Sequence, residues 1–451
     1  MLIFYIAIRT LSFLLRNHAV LQEIIAALLV GFFAYLCIKN LSLAWKVLVL
    51  ELILDGAGHF FELRGLLLRT WVLGIFGALW LIKKIRTRKK FSVPQKNIRV
   101  ALGIFGVFLA WSIVNGFLNH HAPNFIIQDT ILYLFILLLI PALEFEHAPE
   151  PLYVAAIKIF IFGTTLFSLI TFALYSLNIS VLQDPYYHWF RDVAAGKITD
   201  LGAHFFRIVT AEQILFVPII LVLFSMLTKK ISNKKIWALL VCSLIVVILN
   251  FTRIYFVGLA AGALLLFYRT PAKQWFKVSA LTLGVAGLIF FSTHFIASRG
   301  QSIGLKLLGV RVAGVKPEND PSGAIRIALL PDIKRIIALH PLFGSGLGQT
   351  VTYTDPITHT PQTRTQFDWG YFEMIAELGV LGAASYFALL GAIIYNFSRM
   401  AHTPLARGLV AGALALFIIN ITTPALFQGF GVIYFVFLIV APRILDTEII
   451  D

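Results

Sequence analysis

The chain has only two cysteines in 451 residues, Cys37 and Cys242, each set in an apolar run far from the other. That spacing excludes a disulfide framework and a cysteine-based metal site. Charge is scarce as well. Asp, Glu, Lys and Arg together make up 13% of the residues, about half the share usual in a soluble domain. Acidic residues are the scarcer sign, 22 against 37 basic ones, for a net charge of +15. No internal repeat or low-complexity segment stands out, which weighs against an inverted-repeat transporter. The apolar runs also lack the period-two alternation of barrel strands. Residues 1–16 are apolar, but Arg9 and Arg16 interrupt them and no small-residue cleavage site follows, so no cleavable signal peptide is expected.

Apolar residues are what the chain has in abundance: 59% hydrophobic, with a mean hydropathy of +0.87. A single globular core cannot bury that share, which excludes an ordinary soluble enzyme. Apolar runs fall near 22–38, 41–55, 66–82, 100–118, 129–145, 152–175, 208–228, 236–252, 254–268, 278–296, 371–396, 408–422 and 430–444. Lys46 and Glu51 interrupt the second. One bilayer crossing takes about 20 apolar residues, and lipid forces the backbone of each crossing to bond to itself. The expected fold is therefore all-α: a polytopic membrane bundle of about 12–14 transmembrane helices. Its parts are N-terminal transmembrane helices over 1–296 with an outer loop at 176–207, a long outer loop over 297–370, and C-terminal transmembrane helices over 371–451.

The positive charge is not spread as a nucleic-acid surface would need. Lys83, Lys84, Arg86, Arg88, Lys89, Lys90, Lys96 and Arg99 share one short connection. Smaller clusters recur at Lys229, Lys230, Lys234 and Lys235, and at Arg269, Lys273 and Lys277. Basic residues in short loops mark the cytoplasmic side. Alternation then puts 176–207 and 297–370 outside, with the C-terminus inside. A loop as long as 297–370 between membrane helices is usually functional. Within it, 324–339 spaces apolar residues opposite Arg326, Lys334 and Arg335, which predicts a short amphipathic helix over the membrane face, with Pro331 as the place for a break or a kink.

Polar groups near the outer ends of the runs are the candidates for chemistry. Arg207 opens the run 208–228, and Arg253 follows Asn250-Phe251-Thr252 in a polar break. A single arginine there is readily explained by snorkelling. Two on one side suggest an anion-binding cavity, because a guanidinium is permanently charged and forks onto diphosphate oxygens. Gly344, Gly346 and Gly348 let backbone turn tightly or approach a ligand, but the pattern is no nucleotide fingerprint. Asp368 stands where the long loop re-enters the membrane, where it serves as an N-cap or as a general base. Glu373 and Glu377 lie one turn apart beyond it. No Asp-x-Asp pair stands on an outer loop, so neither a metal nor another cofactor is invoked.

The order of these features resembles the O-antigen ligase and O-antigen polymerase superfamily of bacterial membrane glycosyltransferases. The resemblance runs from about 200 to 385. It rests on Thr252-Arg253, on Ser322-Gly323 to Arg326, on His340-Pro341-Leu342-Phe343-Gly344-Ser345-Gly346-Leu347-Gly348, and on the helix Tyr371 to Gly382. It implies a glycan donor carried on undecaprenyl pyrophosphate at the periplasmic face, with Arg207 and Arg253 at the positions of the arginines that hold the pyrophosphate. The histidine usual just before the re-entering helix is replaced by Asp368-Trp369-Gly370-Tyr371, which leaves polymerase and ligase both open.

On this reading Asp368 takes the proton of an attacking hydroxyl while Arg207 and Arg253 neutralise the leaving pyrophosphate. Arg326, Arg191, His340 and Tyr371 hold glycan or phosphate. The partners expected are the lipid-linked donor, a glycan or lipid-linked acceptor, the bilayer, and a chain-length regulator or flippase. The rival from another class is a lipid-linked oligosaccharide flippase or other transporter, which needs the same cations but no long outer loop.

Overall fold

The computed structural model describes residues 2–54, 60–88, 90–92, 94–145, 150–312, 321–356, 358–399 and 402–445. Lys89 of the basic cluster, residue 55 of the second apolar run and 313–320 of the long loop lie outside them. The first half forms α1 (Leu2–Leu14), α2 (Ala19–Lys39), α3 (Leu41–Leu54), a hairpin of β1 (Glu62–Leu63) and β2 (Leu66–Leu67), α4 (Leu68–Thr87), α5 (Lys96–Leu118), α6 (Pro123–Leu134), a 3-10 turn, α7 (Leu139–Glu144) and α8 (Glu150–Ser176). Then come α9 (Ser180–Asp192), the hairpin β3 (Lys197–Asp200) and β4 (Phe206–Val209), a 3-10 turn, α10 (Phe216–Lys229), α11 (Lys234–Asn250), α12 (Arg253–Phe267) and α13 (Ala272–Ala297). The last part holds α14 (Leu305–Val312), α15 (Pro321–Leu339), the hairpin β5 (Val351–Thr354) and β6 (Pro361–Arg364), α16 (Gly370–Arg399), α17 (Pro404–Ile419) and α18 (Gly429–Leu445).

Every apolar run read from the sequence contains a helix. By length and composition, however, 7 helices among the described residues are apolar and long enough to cross a membrane, and four more apolar helices are shorter. The difference comes from short helices: the runs 41–55, 236–252, 254–268 and 408–422 give α3, α11, α12 and α17 of 14, 17, 15 and 16 residues, below the ~20 that one crossing takes. The run 208–228 begins not as a helix at Arg207 but as the strand β4, and the helical turn starts at Ala211, where Gln213 Oε1 accepts from Thr210 N at 3.2 Å.

Tight packing of the central helices follows from small residues, as in other lipid-embedded bundles. On α12, a Cβ at Gly258 or Gly262 would meet Ala415 O or Ala411 O of α17 at 3.2 and 3.1 Å. On α17, a Cβ at Gly408 would meet Val222 Cα of α10 at 2.4 Å. The helices α10, α12 and α17 therefore touch backbone to backbone.

Connections carrying the basic clusters alternate along the chain with the connections at 119–122, 177–215, 251–252 and 298–369. The bundle thus has a basic end and a loop end. At the loop end, α15 runs unbroken through Pro331. Its apolar stripe Leu329, Ile333 and Ile336 is buried against Val351, Tyr353, Phe367 and Ala376. The amphipathic helix predicted to lie on the membrane instead packs its apolar face against the β5–β6 hairpin and α16, forming a small core of its own.

Candidate active site at the loop end

The site starts from the α11–α12 break. Phe251 takes a left-handed φ of 49°, which stops α11, and Arg253 is the first residue of α12. Thr252 stands at the N-cap position but its hydroxyl makes no cap bond. It accepts from Arg207 Nη2 at 2.7 Å, while Arg207 Nε donates to Asn250 O at 2.8 Å. Thr252 donates in turn to Asn250 Oδ1, Asn250 Nδ2 to Gln213 Oε1, and Gln213 Nε2 to Ser168 Oγ. Asn250 and Gln213 are buried. Arg207 is thus strapped across the break that places Arg253 at a helix N-terminus, where the dipole adds positive potential.

Register explains a residue that the sequence did not mark. In the β3–β4 hairpin, Ile198 pairs with Ile208 and both point into the core, so Lys197, Thr199, Arg207 and Val209 occupy the opposite face. The Lys197 side chain is exposed at the start of β3. Partial desolvation by the protein nearby, and then Arg207, pull its ammonium below the ordinary lysine range; Arg364 and Arg326 push the same way, while Asp368 opposes them. Arg207, Arg326 and Arg364, cations from separate elements, thus act on Lys197 together with the carboxylate of Asp368.

Asp368 has a φ of 57° and lies in the turn before α16; its carboxylate faces Arg364 Nη1 at 3.5 Å rather than capping the helix. Arg364 lies over the Tyr353 ring at 5.3 Å. Trp369 Nε1 donates to Arg326 O at 2.9 Å, tying the start of α15 to this turn, and Arg326 Nε is buried without a hydrogen-bond partner.

The glycine-rich segment has a different task. Ser345 N and Gly346 N donate to Ala376 O and Glu377 O at 2.7 and 3.0 Å, and Leu347 N donates to Ser112 O at 3.1 Å. Asn115 Nδ2 and Asn119 Nδ2 reach Gly344 O and Ser345 O at 2.8 and 2.7 Å. His121 Nδ1 donates to Leu347 O at 2.8 Å. The close backbone approach made possible by these glycines is to α5, α6 and a kink in α16 at Gly379, with φ 73° and ψ 173°. The segment clamps the loop onto the membrane helices. Asp129 of α6 completes the clamp by accepting from Gly348 N at 2.9 Å and hydrogen-bonding Glu377. Glu373 accepts from Phe367 N at 3.0 Å, supporting the turn that carries Asp368.

Of the residues marked in the sequence, Arg207, Arg326 and Asp368 come together around Lys197, and Arg253 stands beside the threonine that Arg207 binds. The other three have partners or settings of their own. Arg191 lies in the last turn of α9, pairs with Asp192 at 2.7 Å and lies over Tyr187 at 5.6 Å. His340 is exposed just past the end of α15, roughly 21 Å along the helix from Arg326 at 1.5 Å per residue. Tyr371 commits its hydroxyl to Phe417 O of α17 at 2.7 Å. Lys197, Arg364 and Asp129 were not marked. The first two sit in short loop strands where isolated cations are ordinary, and Asp129 is one carboxylate in an otherwise apolar helix. Only the last bore a signal, an acidic residue inside a span.

Fold and site together define a multi-pass helical membrane protein with a cationic cluster under a folded loop. Residues 238–387 match the family described as O-antigen ligase. That stretch contains the α11–α12 break, α15, the glycine clamp and Asp368, and the match supports the resemblance to the O-antigen ligase and polymerase superfamily and its type of function in surface-polysaccharide synthesis. Lys197 and Arg207 lie outside the matched range. No curated protein matches the chain.

Proposed function

We propose that the protein transfers a glycan from undecaprenyl pyrophosphate to an acceptor hydroxyl at the periplasmic face of the inner membrane. The observation that carries this reading is that Arg207, Arg326 and Arg364 act on Lys197 together with the carboxylate of Asp368, next to the helix start at Arg253. The hydroxyl oxygen of the acceptor bonds to the anomeric carbon, and the bond from that carbon to the phosphate oxygen breaks, its electron pair leaving with the pyrophosphate. The proton passes to Asp368. Arg207, Arg253 and Lys197 take up the charge growing on the leaving oxygen, the part a divalent ion plays in other transferases. Direct displacement inverts the anomeric carbon. Arg326 and Arg364 hold phosphate or glycan at the mouth.

Purified protein in lipid nanodiscs, given a synthetic lipid-linked glycan, tests the reading. Asp368→Asn is expected to lose transfer by about a hundred-fold or more while still binding donor, as for removal of a general base. Arg253→Ala is expected to weaken both steps. Full activity of both variants, or an absolute requirement for a divalent ion, would overturn the scheme. The products also separate polymer growth from ligation to a terminal acceptor, and glycan moved across a vesicle without any new linkage favours the transporter.

The depressed lysine predicts a pH dependence. As pH rises through the lowered Lys197 value, the ammonium loses its charge and its hold on the diphosphate. The ratio kcat/KM for the donor is therefore expected to fall at a pH below the ordinary lysine range. Lys197→Arg keeps its charge and should remove that fall. An unchanged alkaline profile in this variant assigns the titration to another group.

A further inference from the structure

At the basic end, far from the transfer site, α5 and α16 part to leave a groove of about 690 Å³. We propose that this groove binds one phospholipid with an anionic headgroup, drawn from the leaflet on that side.

Several observations point the same way. At the loop end the two helices are locked together, Ser112 Oγ donating to Glu377 O at 2.8 Å. Below the Gly379 kink, the residues of α16 that line the space beside Val100 and Ile104 of α5 include the small Ser385, Ala388 and Ala392, and the helices do not fill the space between them. The wall is apolar along its length and polar at one end, where Lys96 and Arg399 face the opening with Asn97 and Asn396 beside them. Among the described lining residues there is no carboxylate. The floor is Ser385, buried, and Arg399 stands roughly 21 Å above it at 1.5 Å per residue. Half of a hydrocarbon core about 30 Å thick, with its headgroup layer, has that depth.

These dimensions suit one acyl chain lying against Val100, Ile104, Ala388 and Ala392, with a phosphodiester between Lys96 and Arg399. Basic pockets between membrane helices hold acidic lipid headgroups in this way. A choline headgroup would bring its own cation against the two already there, whereas glycerol would not. The charge pattern therefore selects phosphatidylglycerol or cardiolipin over phosphatidylcholine, and the apolar wall selects a lipid over free phosphate.

The test is lipid binding by the purified full-length protein, followed by native mass spectrometry after detergent washing, with phosphatidylglycerol and phosphatidylcholine as probes. Phosphatidylglycerol should be retained preferentially, and Lys96→Gln/Arg399→Gln should lower its affinity on the order of thirty-fold, to the phosphatidylcholine level. Both side chains are exposed, so the fold tolerates the change. Lys273→Gln/Lys277→Gln removes the same charge elsewhere at the basic end and should have no effect. Ala388→Trp, which fills the groove without altering charge, should abolish retention. Equal binding of the two lipids, undiminished retention in the double variant, or displacement by millimolar inorganic phosphate would overturn the proposal. So would disulfide-linked dimers of Ala388→Cys in membranes, which would place a second copy in the groove.

Discussion

Alanine at Arg207 is expected to lower glycan transfer by roughly a hundred- to a thousand-fold, the loss seen when one preorganised donor to a developing negative charge is removed. The guanidinium has two tasks. Its Nε and Nη2 brace Asn250 and Thr252, and its charge lies in the field around Lys197. Lysine at 207 keeps the charge but cannot span both acceptors, so Arg207→Lys should recover part of the activity. Thr252→Val removes one arm of the brace and leaves the arginine, and it should cost less than Arg207→Ala. Measuring kcat/KM for the donor beside thermal unfolding separates the two tasks. If Arg207→Ala works within a few-fold of the parent protein at equal stability, the arginine is scaffold and the diphosphate is held elsewhere.

The largest structural effect is expected at Gly346. It has a φ of 94°, and a Cβ there would lie 2.1 Å from Gly116 N, a backbone atom that cannot swing away. Strained backbone of this kind costs about 1–3 kcal/mol for a residue with a side chain, and forced overlap adds about 1–3 kcal/mol more. Gly346→Ala should therefore lose several kcal/mol, enough to leave little folded protein in the membrane. Gly309 provides the comparison. It lies within α14 with open space around its Cα, so Gly309→Ala should be neutral or slightly stabilising. The readout is the fraction of monodisperse protein after extraction, with the unfolding midpoint of whatever survives. Wild-type yield and stability for Gly346→Ala would mean that the clamp between the loop and α5 is not formed.

Both predictions depend on contacts between residues far apart in the chain, and this marks how far the sequence could be read. The glycine segment was visible as a place where backbone makes a close approach, but not what it approaches. The partners Ser112, Asn115, Gly116 and Asn119 precede it by more than two hundred positions and look like ordinary residues of an apolar helix. The amphipathic stretch over 324–339 was legible by its period. Its stripe has the same period whether lipid or protein covers it, and here Val351, Tyr353 and Phe367 do so. Arg253 was legible because a cation between two apolar runs is expensive unless it is used. Lys197 and Arg364 were not, since a cation in a polar loop costs nothing locally.

By itself, the sequence determined the class of molecule, the helical segments, the alternation of basic and loop ends, and the break that carries Arg253. These follow from local terms: transfer of apolar side chains into lipid, the retention of basic loops on one side, and turns made by residues that tolerate unusual backbone angles. Only the tertiary structure decided which cations share one field, that the glycines clamp helices rather than cradle a ligand, and that α5 and α16 part below the kink. Those outcomes depend on distances between segments, and a one-dimensional pattern of hydropathy and charge contains no such distances.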